Sequence, residues 1–251
     1  MSKILFVGAG PGDPELITIK GYKALQKADL IIYAGSLVNP ELLEINKCGA
    51  EIYNSATMTL DEVLETMILA YRNNKNIVRL HTGDPSIYGA IKEQMDGLEQ
   101  ENIEFDVIPG VSSFVASAAA IKKEFTLPEV SQTVICTRIE GRTPVPEKEQ
   151  LSMLSKHRAS MAIFLSVHMI DKVVDALLEG YSEDTPVAVI QKATWEDQKI
   201  VLGQLKNIEA KVKAANITKT AQILVGDFID CKYAKSKLYD KGFTHEYRVG
   251  K

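Results

Sequence analysis

The sequence predicts an α/β protein: two α/β domains with mixed, largely parallel sheets and a ligand cleft between them. Three observations point there. Short apolar runs rich in β-branched residues alternate with amphipathic stretches along the whole chain. Two glycine-bearing turns follow such runs, Gly8-Ala9-Gly10-Pro11-Gly12-Asp13-Pro14 and His81-Thr82-Gly83-Asp84-Pro85-Ser86-Ile87-Tyr88-Gly89, and each contains Gly-Asp-Pro. The chain has 251 residues, 45% hydrophobic and 25% charged, enough for two modest cores. The domains are expected over residues 1–112 and 113–251. No low-complexity linker separates them, so the halves are expected to pack around a shared ligand.

In the first half, Lys3–Val7 reads as a strand feeding the first glycine loop. A helix follows over Thr18–Lys27, with Leu16, Ile19, Tyr22, Leu25 and Ala28 near one face. Leu30–Tyr33 is the next strand, and Ala34-Gly35-Ser36-Leu37 leaves it as a loop. Thr59 and Glu62 have the spacing of a capping box, so a helix is predicted from Thr59 to about Tyr71. Asn76–Leu80 is a buried strand entering the His81–Gly89 turn, and a helix runs on to about Gln100. Phe105–Ile108 is a strand ended by Pro109-Gly110. Val111-Ser112-Ser113 then opens an Ala/Ser-rich helix, Phe114–Ile121, whose small side chains suit close packing. Thr126-Leu127-Pro128 marks a break.

In the second half, strands are predicted at Thr133–Thr137, Met161–Leu165 and Ala221–Val225, and helices at Glu147–Lys156, Met169–Leu178 and Ile208–Ala215. Pro186–Ile190 and Lys199–Leu202 read as a hairpin closed by Ala193-Thr194-Trp195-Glu196-Asp197. Arg138–Pro146 is a polar loop stiffened by Pro144 and Pro146. From Cys231 onward the tail is basic and aromatic.

Composition excludes several functions. A net charge of −4 disfavours non-specific nucleic-acid binding. No segment approaches the roughly 20 apolar residues a membrane span needs, and the N-terminal apolar run is too short for a signal peptide. The three cysteines, Cys48, Cys136 and Cys231, lie far apart without CxxC or Cys/His spacing. They read as reduced, buried thiols of a cytoplasmic protein, and no metal site is expected.

The first loop fails the dinucleotide fingerprint. Gly8 and Gly10 fit, but Asp13 stands where the third glycine belongs and would repel a pyrophosphate. Acid-bearing glycine turns suit a cationic donor instead. S-adenosylmethionine is such a molecule, with a sulfonium, an ammonium, a carboxylate and an adenine.

The residues that carry a resemblance are Gly8–Pro14, Ala28-Asp29, Arg79–Gly89, Pro109–Ser113, Met161–Ser166 and Thr220–Leu224. Together they resemble the tetrapyrrole (corrin and porphyrin) methylase family over nearly the whole chain. Within it, Tyr33–Val38, His81–Pro85, Glu140–Pro146, Lys192–Trp195 and the tail Ser236–Asp240 with Phe243-Thr244-His245 are similar to the subgroup that methylates carbon 11 of precorrin-4 or cobalt-precorrin-4 in cobalamin biosynthesis. The resemblance implies a two-domain homodimer using S-adenosylmethionine and releasing S-adenosylhomocysteine. It implies donor contacts at Pro11, Thr82, Gly83, Asp84, Ile87, Ser112, Ser113, Leu165, Ala193, Thr220 and Ala221. Some relatives carry an acid after the second strand and a lysine further on. Here Tyr33–Ser36 and Asn54-Ser55-Ala56 hold neither, so no catalytic pair is assigned.

The implied substrate is an anionic tetrapyrrole. Its carboxylates call for basic residues, and Arg142, Arg138, Lys192, Lys122 and Lys123 are candidates. His81, which enters the central turn, is a further candidate substrate contact. Competing readings are methylation of another ring position of a precorrin or uroporphyrinogen, a nicotinamide-dependent oxidoreductase using the Gly8 loop, and a non-catalytic tetrapyrrole carrier.

Overall fold

A computed structural model describes residues 3–250, with Ser36 and Tyr239 described by backbone only. The chain forms two compact units. The first runs up to Ala116 and takes in Lys192–Asp197; the second holds Ser117–Gln191 and the chain from Gln198 onward.

The first unit is built on a sheet of β1 (Ile4–Gly8), β2 (Leu30–Tyr33), β3 (Glu51–Asn54), β4 (Ile77–His81) and β5 (Phe105–Ile108), in the order β3-β2-β4-β1-β5. Its four pairings are all parallel, so the carboxyl ends of all five strands lie along one edge. Side chains alternate between two buried faces. Ile4, Phe6, Leu30, Ile32 and Ile77 meet α2 (Leu60–Arg72) and α3 (Lys92–Gln100), while Val7, Ile31, Val78, Leu80 and Ile108 pack with α1 (Ile19–Gln26). The Thr59–Glu62 capping box is present: Glu62 N–H donates to Thr59 Oγ1 at 3.3 Å, and Thr59 N–H to Glu62 Oε2 at 2.7 Å. Sequence reading missed β3, an edge strand whose residues are all exposed, because no apolar alternation marks it.

The second unit has a sheet of β6 (Val134–Arg138), β7 (Ser160–Phe164), β8 (Pro186–Gln191), β9 (Lys199–Gln204) and β10 (Ala221–Val225), in the order β6-β7-β10-β8-β9. Only β6–β7 is parallel among its four pairings. The predicted hairpin makes β8–β9 antiparallel, and β10 runs antiparallel between β7 and β8. One face packs on α5 (Leu151–Ser155), α6 (Ile170–Leu178) and α7 (Leu205–Ala214) through Met161, Ile163, Val173, Leu177, Val187, Ile208 and Ile223.

The small-residue helix is α4 (Ser113–Ala120), and the division between the units falls inside it, at Ala116/Ser117. Buried thiols are not found. Cys48 and Cys136 are exposed and Cys231 is half-buried. Cys136 sits on the edge strand β6, and Cys48 on the loop before β3. No helix among the described residues is long and apolar enough to cross a membrane.

Candidate active site

Three turns leave neighbouring strands β4, β1 and β5 at the carboxyl edge of the first sheet. In parallel sheets this edge is where ligands bind. The turns are packed backbone on backbone. Gly10 and Gly83 form a bridge, with Gly83 N–H donating to Gly10 O at 2.8 Å and Gly10 N–H to Gly83 O at 3.2 Å. Both have positive φ, +77° and +63°, which favours glycine. A Cβ on Gly110 would lie 2.1 Å from Gly83 O and 2.8 Å from Gly8 Cα, so no side chain fits where the three turns meet.

Asp84 ties two of these turns together. Its Oδ2 accepts from Gly110 N–H at 2.9 Å and its Oδ1 from Ser86 N–H at 2.8 Å. The carboxylate therefore serves the backbone of its own turn and of the β5 turn. Asp13 does similar work: its Oδ1 accepts from Glu15 N–H at 2.9 Å, capping the 3-10 turn Pro14–Leu16. That is the kind of N–H a pyrophosphate would need, which counts further against the nicotinamide reading.

The Lys192–Asp197 loop joins the first turn. Trp195 Nε1–H donates to Pro11 O at 3.0 Å, and Asp13 N–H donates to Thr194 Oγ1 at 3.0 Å. The indole lies so close to Gly12 that a Cβ there would meet it at 2.1 Å. Asn39 Nδ2 holds Gly12 O at 2.9 Å. Ala193 is buried. Lys192 is ion-paired with Asp197, and its ammonium lies 5.4 Å from the centre of the Trp195 ring.

Beneath the central turn lies a polar layer. Arg79 is 5% exposed, and no carboxylate among the described residues pairs with it. Its Nε donates to Gln94 Oε1 at 2.9 Å and its Nη1 to Ile32 O at 3.2 Å. Burial pushes the guanidinium down to about 10. Gln94 Nε2 in turn donates to Ala90 O at 2.9 Å. Tyr88 and Ala90, though not glycine, have φ of +55° and +48°. The Arg79–Gln94 pair thus holds a strained segment in place. His81 is buried and stacks on Phe6, ring centres 6.1 Å apart. Burial, then the charge on Arg79, pushes its pKa down to about 3, so it is neutral. Two buried side-chain atoms here lack partners, His81 Nε2 and Thr82 Oγ1.

The remaining expected residues divide between the units. Thr82, Gly83, Asp84, Ile87, Ser112 and Ser113 gather in the β4 and β5 turns of the first unit, with Pro11 and Ala193 beside the β1 turn. Leu165, Thr220 and Ala221 belong to the second unit. Leu165 is 60% exposed yet held at φ +54°, and Thr220 is at φ +55°. Non-glycine residues held at positive φ at strand ends cluster at functional sites.

The two arginines of the 138–146 loop differ. Arg138 donates to Ile139 O, Thr143 O and Pro144 O, so it staples its own loop. Arg142 is exposed and makes no hydrogen bond or ion pair with the described residues. Lys122 and Lys123 are exposed. No group of three or more metal-ligating side chains occurs among the described residues.

Sequence reasoning did not single out Arg79, Gln94, Asn39 or Trp195. A charge inside the apolar run Ile77-Val78-Arg79-Leu80 was a visible signal for the first. Gln94 gains its role only from the buried Arg79, and Asn39 and Trp195 act through contacts 27 and 184 residues away.

Comparison with known proteins agrees with this site. Residues 3–209 match the family described as Tetrapyrrole (Corrin/Porphyrin) Methylases. A cobalt-precorrin-4 C(11)-methyltransferase of Methanocaldococcus jannaschii is 64% identical over 248 residues, 98% of this chain and 96% of that protein. A precorrin-4 C(11)-methyltransferase of Pseudomonas aeruginosa is 46% identical over 98% of this chain and 99% of its own. The X-ray structure of a cobalt precorrin-4 methyltransferase superposes with a TM-score of 0.89 at 49% identity, covering 91% of this chain and 96% of that one. With packed glycine turns at the sheet edge and a family match across most of its length, this chain belongs to the tetrapyrrole (corrin/porphyrin) methylases.

Proposed function

We propose that this methyltransferase moves a methyl group from S-adenosylmethionine to carbon 11 of precorrin-4 or cobalt-precorrin-4, in cobalamin biosynthesis. The observation that carries the reading is the convergence of the β1, β4 and β5 turns, where Gly8, Gly10, Gly83 and Gly110 pack backbone on backbone. The relatives' names, at 64% and 46% identity, supply the substrate.

The residues fit a donor of this kind. Gly83 leaves no side chain between the β4 turn and Ser112, Thr82 Oγ1 is buried without a partner, and Ser112 and Ser113 flank the turn. In this reading Pro11, Thr82, Gly83, Asp84, Ile87, Ser112, Ser113 and Ala193 of the first unit hold the donor. Bound S-adenosylmethionine supplies an electrophilic methyl on a sulfonium. The nucleophile is an electron-rich ring carbon, which needs no strong base to attack. The protein's part is alignment, worth up to roughly 7–11 kcal/mol in the best intramolecular systems. Neutral His81 adds no positive charge beside the cationic donor. Arg142 receives substrate carboxylates, with Arg138 shaping the loop that presents it, and Lys192 takes part only by exchanging its ion pair with Asp197. The protein works as a cytoplasmic homodimer in this reading, which light scattering tests.

Methyl-labelled S-adenosylmethionine is incubated with the protein and either precorrin-4 or cobalt-precorrin-4. The expected result is one labelled methyl at carbon 11. Label transferred at another carbon, or to neither compound, overturns the proposal.

A further inference from the structure

The C-terminal tail carries a charge opposite to that of the rest of the molecule. Residues 231–251 hold six Lys and Arg against two Asp and Glu, a net +4. The other 230 residues then carry 23 basic and 31 acidic side chains, a net −8. A body of that sign repels a polycarboxylate.

The tail is a built structure. Ser236 caps a 3-10 turn over Lys237–Tyr239, its Oγ accepting from Leu238 N–H at 3.2 Å. Arg248 Nη2 donates to Leu238 O and Asp240 O, both at 2.7 Å. His245 and Arg248 pair through both backbone bonds, at 2.8 and 3.0 Å. This fold sets the rings of Phe243, His245 and Tyr247 in a row, with centres 6.2 and 6.5 Å apart. Tyr247 is 85% exposed. Arg248 is spent on the fold. Lys232, Lys235, Lys237 and Lys241 are exposed and form no ion pair among the described residues.

We infer that this tail is a capture surface for the anionic tetrapyrrole, its free ammonium groups drawing the carboxylates and its aromatic row stacking on the flat ring. The inference rests on the substrate class given under Proposed function. An exposed aromatic row flanked by unpaired cations matches a flat molecule rimmed with carboxylates. An acidic protein partner would be drawn by the charge without needing the rings.

The test uses the full chain and uroporphyrin, a stable polycarboxylate tetrapyrrole, with affinity read by fluorescence anisotropy. One variant combines Lys235→Gln, Lys237→Gln and Lys241→Gln; the other is Tyr247→Ser. All four side chains are exposed, so melting temperatures should match the unaltered protein. At about 0.01 M salt, where charges act over about 30 Å, the triple variant should bind about tenfold more weakly. The gap should close at about 0.15 M and above, where the range falls to about 8 Å. Tyr247→Ser should weaken binding severalfold at every salt concentration, since stacking is not screened. S-adenosylhomocysteine affinity should not move in either. Equal uroporphyrin affinity of both variants and the unaltered protein at low salt overturns the proposal. Loss in the triple variant with none in Tyr247→Ser also overturns it, and leaves an acidic partner as the tail's occupant. Uroporphyrin binding requires no methyl transfer, so failure of the methylation assay leaves this test standing.

Discussion

The turn at Asp84 and the loop at Arg138 looked alike in sequence. Each is a charged residue among glycines and prolines at the end of a strand, and each suggested a ligand contact. In the structure both charges are engaged with the chain itself, but differently. Asp84 bridges two turns that are distant in sequence, reaching Gly110 across the sheet edge. Arg138 closes only its own loop, reaching Ile139, Thr143 and Pro144. The first arrangement couples ligand geometry to the core. The second is a local staple whose loss should stay local.

The largest effect is expected where the turns meet. Gly110→Ala drives a methyl into Gly83 O and Gly8 Cα, both backbone, so a turn must move. S-adenosylhomocysteine binding, measured by calorimetry, should fall by more than about 100-fold, with overpacking costing about 1–3 kcal/mol or more of stability. Near-normal affinity would break the idea that close packing shapes the donor site.

Asp84→Ala comes next. It leaves the N–H groups of Ser86 and Gly110 without their acceptor. Each bond to a charged group is worth about 1.5–3 kcal/mol, so donor affinity should drop by roughly 10- to 150-fold. Asp84→Asn keeps an acceptor oxygen and should retain part of that affinity. A variant that melts earlier yet transfers methyl normally would reduce Asp84 to a structural brace.

His81 sharpens the comparison through pH. Its pKa is near 6.5 unfolded and about 3 folded. As pH falls below 6.5 the unfolded chain takes a proton that the folded chain refuses. Stability should therefore decline by about 1.4 kcal/mol per pH unit from near 6.5 down towards 3, and be unaffected by this group above 6.5. Urea melts of His81→Gln should lack that part of the acid slope. An unchanged slope would mean that His81 charges in place.

The smallest effect separates the two arginines. Arg142→Ala should raise the KM for the tetrapyrrole severalfold and leave melting temperature and donor affinity unchanged. Arg138→Ala should lower the melting temperature slightly and raise the same KM by loosening the loop. If donor affinity falls with Arg142, the loop belongs to the donor site.

Much was legible in the sequence because it is local. The capping box at Thr59 and Glu62, the β8–β9 hairpin and the apolar runs of β1, β2, β4 and β5 all rest on neighbours a few residues apart. The positions of Gly10 and Gly83 signalled two turns at strand ends. What tertiary structure alone decided is where the side chains of those turns point. Asp84 finds Gly110 26 residues away, and Trp195 reaches Pro11 across 184 residues. Spacing along the chain contains no record of such pairs: the first exists only once parallel strands bring their carboxyl ends to one edge, the second only once the β8–β9 loop meets the β1 turn. The same holds for His81: its residue type suggested chemistry, and only burial beside Arg79 keeps the ring neutral well below physiological pH. The exposure of Cys136 on an edge strand and the single parallel pairing of the second sheet were likewise set by how the strands assemble, which propensity and periodicity do not encode.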